Sequence, residues 1–184
     1  MAHSEQFTFV ETVRQFLPHY FRNSRVLEVG SWGANGSVRP LFENRDYTGV
    51  DIAAGPGVDV VCPGQVLNHP AASYEAVISC ECFEHNPCWH ETFLNMVRML
   101  KAGCLCIVSC ASMGRSEHGT CRMGATASLT AETDHSGDYY RNLLECDFTR
   151  RFHPGEFFDS SFLHDNIYRK DLYFVGHRRV AMLR

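Results

Sequence analysis

The sequence contains no apolar run approaching the ~20 residues that a bilayer-spanning helix requires. Residues 1–6 are polar and lack the basic start and apolar stretch of a secretory signal. A basic balance is missing too: 17 Lys and Arg stand against 21 Asp and Glu, a formal net charge of -4. A nucleic-acid backbone calls for a basic face, so no nucleic-acid partner is expected; Arg150, Arg151, Arg178 and Arg179 are the place where a local patch would form. There is no internal repeat and no low-complexity tract. What is abundant is cysteine, at nine residues, an odd number. Without a signal these read as reduced thiols, and the expected location is the cytoplasm. A length of 184 residues with 45% hydrophobic and 21% charged residues fits one globular domain, 1–184, with a real core.

Apolar residues at helical spacing over 7–21 predict an amphipathic N-terminal helix within residues 1–22, kinked or ended by Pro18. Residues 25–29 form a short apolar run ending on a glycine, which reads as a buried parallel strand. A loop over 30–36 and a helix over 37–43 are expected next. Further strands are expected over 47–50, 58–61, 74–79 and 105–109, with a turn at Gly55-Pro56-Gly57. Residues 87–100 predict a helix, with Pro87 in its first turn and Lys101-Ala102-Gly103 closing it. A short helix over 143–151 and a strand pair over 160–168 and 171–180 complete the chain. Strands alternating with helices imply a doubly wound α/β fold with a mostly parallel sheet.

Residues 111–140 break the pattern. They are rich in Gly, Ser, Thr, His and Met, and they follow the fifth strand, on the ligand side of such a sheet. They read as a substrate lid, with His118, His135, Asp138, Tyr140 and Arg141 as candidate substrate contacts.

In an open parallel sheet, ligands bind beyond the carboxyl ends of the strands. The first loop runs Glu28-Val29-Gly30-Ser31-Trp32-Gly33-Ala34-Asn35-Gly36-Ser37. Glycines there let backbone approach a ligand, and a helix after the loop would aim its N–H groups at it. The second strand ends in Asp51, about 20 residues after the first glycine, where an acid can accept from ribose hydroxyls. Together these point to an adenosine-containing cofactor. Trp32 stands where a dinucleotide loop has its second glycine, and Glu28 suits a cationic ligand better than a pyrophosphate. That argues against a nicotinamide-dependent oxidoreductase.

Here the segment Val26-Leu27-Glu28-Val29-Gly30-Ser31 resembles motif I of class I S-adenosylmethionine-dependent methyltransferases. Tyr47-Thr48-Gly49-Val50-Asp51-Ile52 resembles their second-strand motif. The stretch from Tyr74 through Ser79-Cys80-Glu81-Cys82-Phe83-Glu84-His85 resembles the fourth-strand motif of the type 11 methyltransferase domain. Arg98-Met99-Leu100-Lys101-Ala102-Gly103 resembles the turn before strand five, and Asp171-Leu172-Tyr173-Phe174-Val175-Gly176 the final antiparallel strand. The resemblance implies a Rossmann-like, seven-stranded, three-layer α/β/α fold whose last strand is antiparallel. It implies S-adenosyl-L-methionine as cofactor, held by Glu28, Gly30, Ser31, Trp32 and Asn35 of the first loop. Asp51 would bind ribose, Ile52 would pack on adenine, and backbone at Val61 and Cys62 would approach its amino group. Ser79, Cys80 and Glu81 would face the sulfonium and the incoming nucleophile, which makes Glu81 a catalytic candidate. Two departures stand out: the glycine loop is altered, and Cys62-Pro63-Gly64 replaces an acid common after strand three.

Methyl transfer is an in-line displacement that needs alignment first and a base second. His85, after strand four and able to titrate near neutrality, is the candidate base. The expected acceptor is a small molecule, a sugar or a lipid-linked group; the alternative is a catalytically degenerate cofactor-binding or scaffold protein. The cluster Cys80, Cys82, His85, Cys88 and His90 lacks the spacing of a zinc knuckle, so no metal is expected.

Overall fold

The computed structural model describes residues 4–33, 36–43, 46–123 and 139–180. Seven strands form one sheet in the order β3-β2-β1-β4-β5-β7-β6. They are β1 (Val26–Val29), β2 (Tyr47–Asp51), β3 (Val60–Val61), β4 (Tyr74–Cys80), β5 (Leu100–Ala111), β6 (Phe158–Asn166) and β7 (Asp171–Arg178). The first five pair in parallel, while β7 runs antiparallel to both β5 and β6. The expected doubly wound sheet with an antiparallel final strand is therefore the one observed.

The period-two alternation of the central strands divides the core between two faces. Val26, Tyr47, Ile78, Leu105 and Ile107 pack with Val10 and Val13 of helix α1 (Ser4–Phe16). Leu27, Val50, Val77, Cys106 and Val108 face the other way, toward helices α2 (Trp89–Met99) and α3 (Glu145–Arg151). In α2 the buried residues Trp89, Thr92, Phe93, Met96 and Val97 form one apolar stripe. A one-turn helix, α4 (Pro154–Phe157), leads into β6. Cys80, Cys106 and Cys110 are buried, and no described cysteine is in a disulfide.

Helix α1 ends at Phe16, just before Pro18 as the sequence allowed, and Pro18 opens a separate 3-10 turn, Pro18–Phe21. Three local expectations change. The helix expected over 37–43 is a single 3-10 turn, Arg39–Leu41. Pro40 offers no N–H, and Phe42 turns extended to stack on Phe21 at 4.4 Å, which stops a helix from propagating. Pro87 lies outside α2, which starts at Trp89 after Cys88; the Cys88 amide donates to Asn86 Oδ1 at 2.8 Å. Finally, Gly103 does not close α2. Leu100 is already extended and pairs with Tyr74, and Gly103 (φ 72°) sits in the register shift that follows. Burial of Leu100 drives that early switch to strand.

Candidate active site at the carboxyl ends of the central strands

The β1 loop is fixed from two sides. Gly30 has φ +82°, and a Cβ there would lie 2.4 Å from the Cβ of Cys82, so glycine is required by backbone conformation and by contact. This contact ties the end of β1 to the end of β4. On the other side, the Gly55-Pro56-Gly57 turn lies against the loop: the Gly33 amide donates to the Pro56 carbonyl at 2.8 Å. Gly55 faces the Trp32 indole, and a Cβ at Gly49 would fall 2.0 Å from the Gly57 carbonyl oxygen.

Asp51 joins these pieces. Its Oδ2 accepts from the Trp32 amide at 2.9 Å and its Oδ1 from the Ile52 amide at 2.8 Å. Burial raises its pKa, and the two amide donors oppose that. The Cys62 amide donates to the Asp51 carbonyl at 2.8 Å, while the Val61 side chain is exposed. Glu28 is buried on the α1 face and accepts from the Tyr47 hydroxyl at 2.8 Å. Burial raises it to about 7, and the Tyr47 hydrogen bond offsets this only in part.

At the end of β4 the chain turns sharply. Glu81 takes φ 50°, unusual for a side-chain-bearing residue, and its amide donates to the Ser109 carbonyl at 3.0 Å. Its carboxylate is paired with Arg115 at 3.2 Å. Ser79 and Cys80 point to opposite faces of β4, and Cys80 belongs to the α1-side core. The Cys82 thiol is pushed up to about 12 by burial and then by the nearby Asp51 and Glu84 carboxylates.

A second wall comes from the segments after β5. The rings of His85, His118 and Tyr140 meet edge to face, with centroids 4.9–5.4 Å apart. The Arg141 amide donates to the Glu84 carbonyl at 2.9 Å, so this strand of chain lies directly over the β4 end. His85 needs a correction. Burial, with His118 beside it, lowers its pKa to about 4, so it is neutral and does not titrate near neutrality. The Arg141 side chain pairs with Asp147 of α3 rather than projecting alone into the site. Asn35, His135 and Asp138, with the rest of 124–138, lie outside the described residues.

Buried polar atoms without hydrogen-bond partners gather at this end of the sheet. They include the hydroxyls of Ser31, Ser79 and Ser109, both carboxylate oxygens of Glu84 and Nδ1 of His85. The Ser79 and Ser109 hydroxyls lie within hydrogen-bonding reach of the Cys82 and Cys80 thiols, respectively. Native interiors rarely leave such groups without partners. The sequence singled out Gly30, Asp51 and the β4 end. It weighed Cys82 only as part of a zinc-type cluster and did not single out Glu84 or Arg115, although Glu84 sits inside the quoted fourth-strand motif.

No protein-family model matches the sequence, and no curated protein matches it significantly. Solved structures match in fold. One is a 1,6-didemethyltoxoflavin-N1-methyltransferase from Burkholderia thailandensis, holding 1,6-didemethyltoxoflavin and S-adenosylhomocysteine. It is 14% identical, with a TM-score of 0.57 over 98% of this chain and 92% of that one. Another is phosphoethanolamine N-methyltransferase 2 of Haemonchus contortus with S-adenosyl-L-methionine, 13% identical, TM-score 0.67, over 96% of this chain and 53% of that one. A third is the 4+2 cyclase SpnF, 12% identical, TM-score 0.60, over 95% of this chain and 82% of that one. The architecture is thus the class I S-adenosylmethionine-dependent methyltransferase fold. At these identities the likeness is one of fold.

Proposed function

We propose that this chain binds S-adenosyl-L-methionine at the carboxyl ends of β1, β2 and β4 and transfers its methyl group to a small-molecule acceptor. The observation that carries this is the set of buried polar groups without partners at Ser31, Glu84 and His85, just beyond β1 and β4, where this fold holds its ligands. The donor set fits the cofactor. Asp51 retains acceptor capacity for ribose beyond its two amide bonds, and Ile52 follows it. Backbone at Gly30, Ser31 and Trp32, and at Val61 and Cys62, borders the same space, with Asn35 assigned to it from the sequence. Glu28, buried with its pKa raised to about 7 and bound to the Tyr47 hydroxyl, lies toward the end of β1 leading into this loop. The cofactor supplies the electrophilic methyl group. Ser79, Cys80 and Glu81 shape the β4 side, with Arg115 holding Glu81.

The acceptor lies against the wall of His85, His118, Tyr140 and Arg141. A neutral His85 accepts a proton from an already acidic nucleophile, but it is too weak a base for an alcohol. This favours an acceptor with a nucleophile of low pKa or a free lone pair over a sugar or lipid hydroxyl. The second reading is a cofactor-binding protein without turnover. It is favoured by the single 3-10 turn, Arg39–Leu41, where a helix N-terminus would face the ligand.

Calorimetric titration separates these readings. The methyltransferase reading expects S-adenosylmethionine and its demethylated product to bind, Asp51→Ala to weaken both at least tenfold, and labelled methyl to pass to a small-molecule extract. Binding with no transfer to any acceptor leaves the second reading. No binding of either compound overturns both.

A further inference from the structure

Glu84 is fully buried in the 3-10 turn Phe83–His85. Neither carboxylate oxygen has a hydrogen-bond partner. Burial, and then the nearby Glu81 carboxylate, pushes its pKa well above the ordinary carboxyl range, and the Glu84 and Ala111 amides oppose this only in part. A bare, buried carboxylate is costly, and it must gain a proton or meet a cation.

Two imidazoles face it. His118 Nε2 lies 4.0 Å from Glu84 Oε1. Its other nitrogen, Nδ1, is 3.1 Å from the Ser116 carbonyl, which can only accept. The proton therefore sits on Nδ1, and in the neutral ring the Nε2 lone pair points at a carboxylate oxygen. A charged Glu84 therefore meets an acceptor, not a donor, at His118 Nε2. His85 repeats the theme. Its Nδ1 is buried without a partner, while the Tyr139 backbone acts as a hydrogen-bond partner to the ring. In metal sites a ligating histidine fixes its tautomer this way, giving its other N–H to a backbone carbonyl.

We propose that Glu84, His85 and His118 form a binding site for a first-row divalent transition metal ion. One ligand atom from each lies within 4.8 Å of the other two. Metal bonds of about 2.0–2.2 Å place neighbouring ligand atoms about 3–3.6 Å apart, so a small rotation of the half-exposed His118 ring closes the site. Two histidines and one carboxylate leave coordination positions open, as in sites that bind or polarise a ligand rather than serve structure alone. The Tyr140 ring packs edge to face on both histidines, so a donor of an acceptor held at that wall would lie near the site. The sequence missed this site because zinc-type cysteine spacing is absent and the third ligand comes from the segment beyond β5. It stands whether or not the chain binds S-adenosylmethionine, and with metal bound His85 serves as a ligand in place of the proton acceptor described above.

The probe is Co2+ added to the cofactor-free, reduced full chain, followed by calorimetry and visible absorption. The expected result is one Co2+ per chain, with d–d bands and no thiolate-to-cobalt charge-transfer band in the near ultraviolet. Affinity should fall at least about tenfold in His118→Ala, whose ring is partly exposed and whose loss spares the core. Glu84→Gln keeps the shape and should abolish the site; circular dichroism checks its folding. Zn2+ should compete for the same site. Binding that is unchanged in His118→Ala, a spectrum dominated by thiolate charge transfer, or no Co2+ binding at all would overturn the proposal. Separate titration with S-adenosylmethionine reports the cofactor reading independently.

Discussion

Arg115, just past β5, places one guanidinium nitrogen 3.0 Å from the buried carboxylate of Asp171 at the start of β7. Its other terminal nitrogen is 3.2 Å from Glu81 at the end of β4. Tyr173 donates to the second oxygen of Asp171 at 3.0 Å. Three segments far apart in the chain are thus held by one side chain. The arrangement fixes the path by which the chain leaves β5 and passes over the site. Removing one partner of a buried ion pair strands the others, at about 3–5 kcal/mol. Arg115→Ala should lower unfolding free energy by roughly that amount in denaturant titrations. The loss should shrink as pH falls and the stranded carboxylates protonate. Arg115→Lys should rescue little, because a point-charge ammonium cannot fork to two carboxylates. Full stability in Arg115→Ala would show that the bridge holds nothing.

The Glu28–Tyr47 pair gives a pH dependence of definite sign. Burial raises Glu28 to about 7, above the ordinary 4.5 of a carboxyl. Between those values the folded state holds a proton that the unfolded chain releases, so stability falls as pH rises from about 4.5 toward 7. The full span is worth on the order of 3 kcal/mol. Glu28→Gln, which stays neutral, should flatten that slope. Tyr47→Phe should steepen it, since the hydroxyl is what holds the carboxyl down. Midpoints measured at several pH values test both, and a slope of the opposite sign in the parent would sink the assignment.

Phe148 links the core to the wall of the site. It is buried in α3, 4.9 Å from the Trp89 ring and 5.7 Å from Phe93. Residues 139–143 lead into this helix. Phe148→Ala should cost about 3–5 kcal/mol through the cavity it leaves. A loss under 1 kcal/mol in denaturant titrations would mean that the α3 packing is slack. Because the wall hangs from α3, acceptor binding should weaken more than cofactor binding in the same variant.

The alternation of apolar runs with helical spacing made the sheet legible, since β1, β2, β4 and β7 are short runs whose two faces both need burial. The helix after the β1 loop was not legible. Apolar spacing at Val38, Leu41 and Phe42 fits a helix equally well, and the packing of Phe42 on Phe21 joins Pro40 in deciding against it. At the site, Gly30 and Asp51 could be found because backbone approach and strand termini leave marks in sequence. Glu84 with His118, and Arg115 with Asp171, could not, because their meeting depends on how the segments beyond β5 return. His85 was visible as a residue, but its lowered pKa depends on burial and on a neighbour from another segment.

Gly30 and Cys82 define the narrowest approach between the β1 and β4 loops. Gly30→Ala meets two costs. The left-handed backbone at φ +82° disfavours any side chain by about 1–3 kcal/mol. The new methyl also lies 2.4 Å from the Cys82 Cβ, well inside contact distance. The clash is with Cβ rather than only with sulfur at 2.7 Å, so Cys82→Ala should give no more than partial relief. Cys82→Gly removes both atoms and should recover the steric share but leave the backbone share. The comparison of Gly30→Ala alone with its two double variants, by denaturant titration, divides the penalty into those parts. If Cys82→Ala restored full stability, sulfur alone would be the obstacle. If Cys82→Gly restored nothing, the backbone of Gly30 would carry the whole requirement. Either outcome would contradict the tight β1–β4 contact on which the shape of the cofactor site depends.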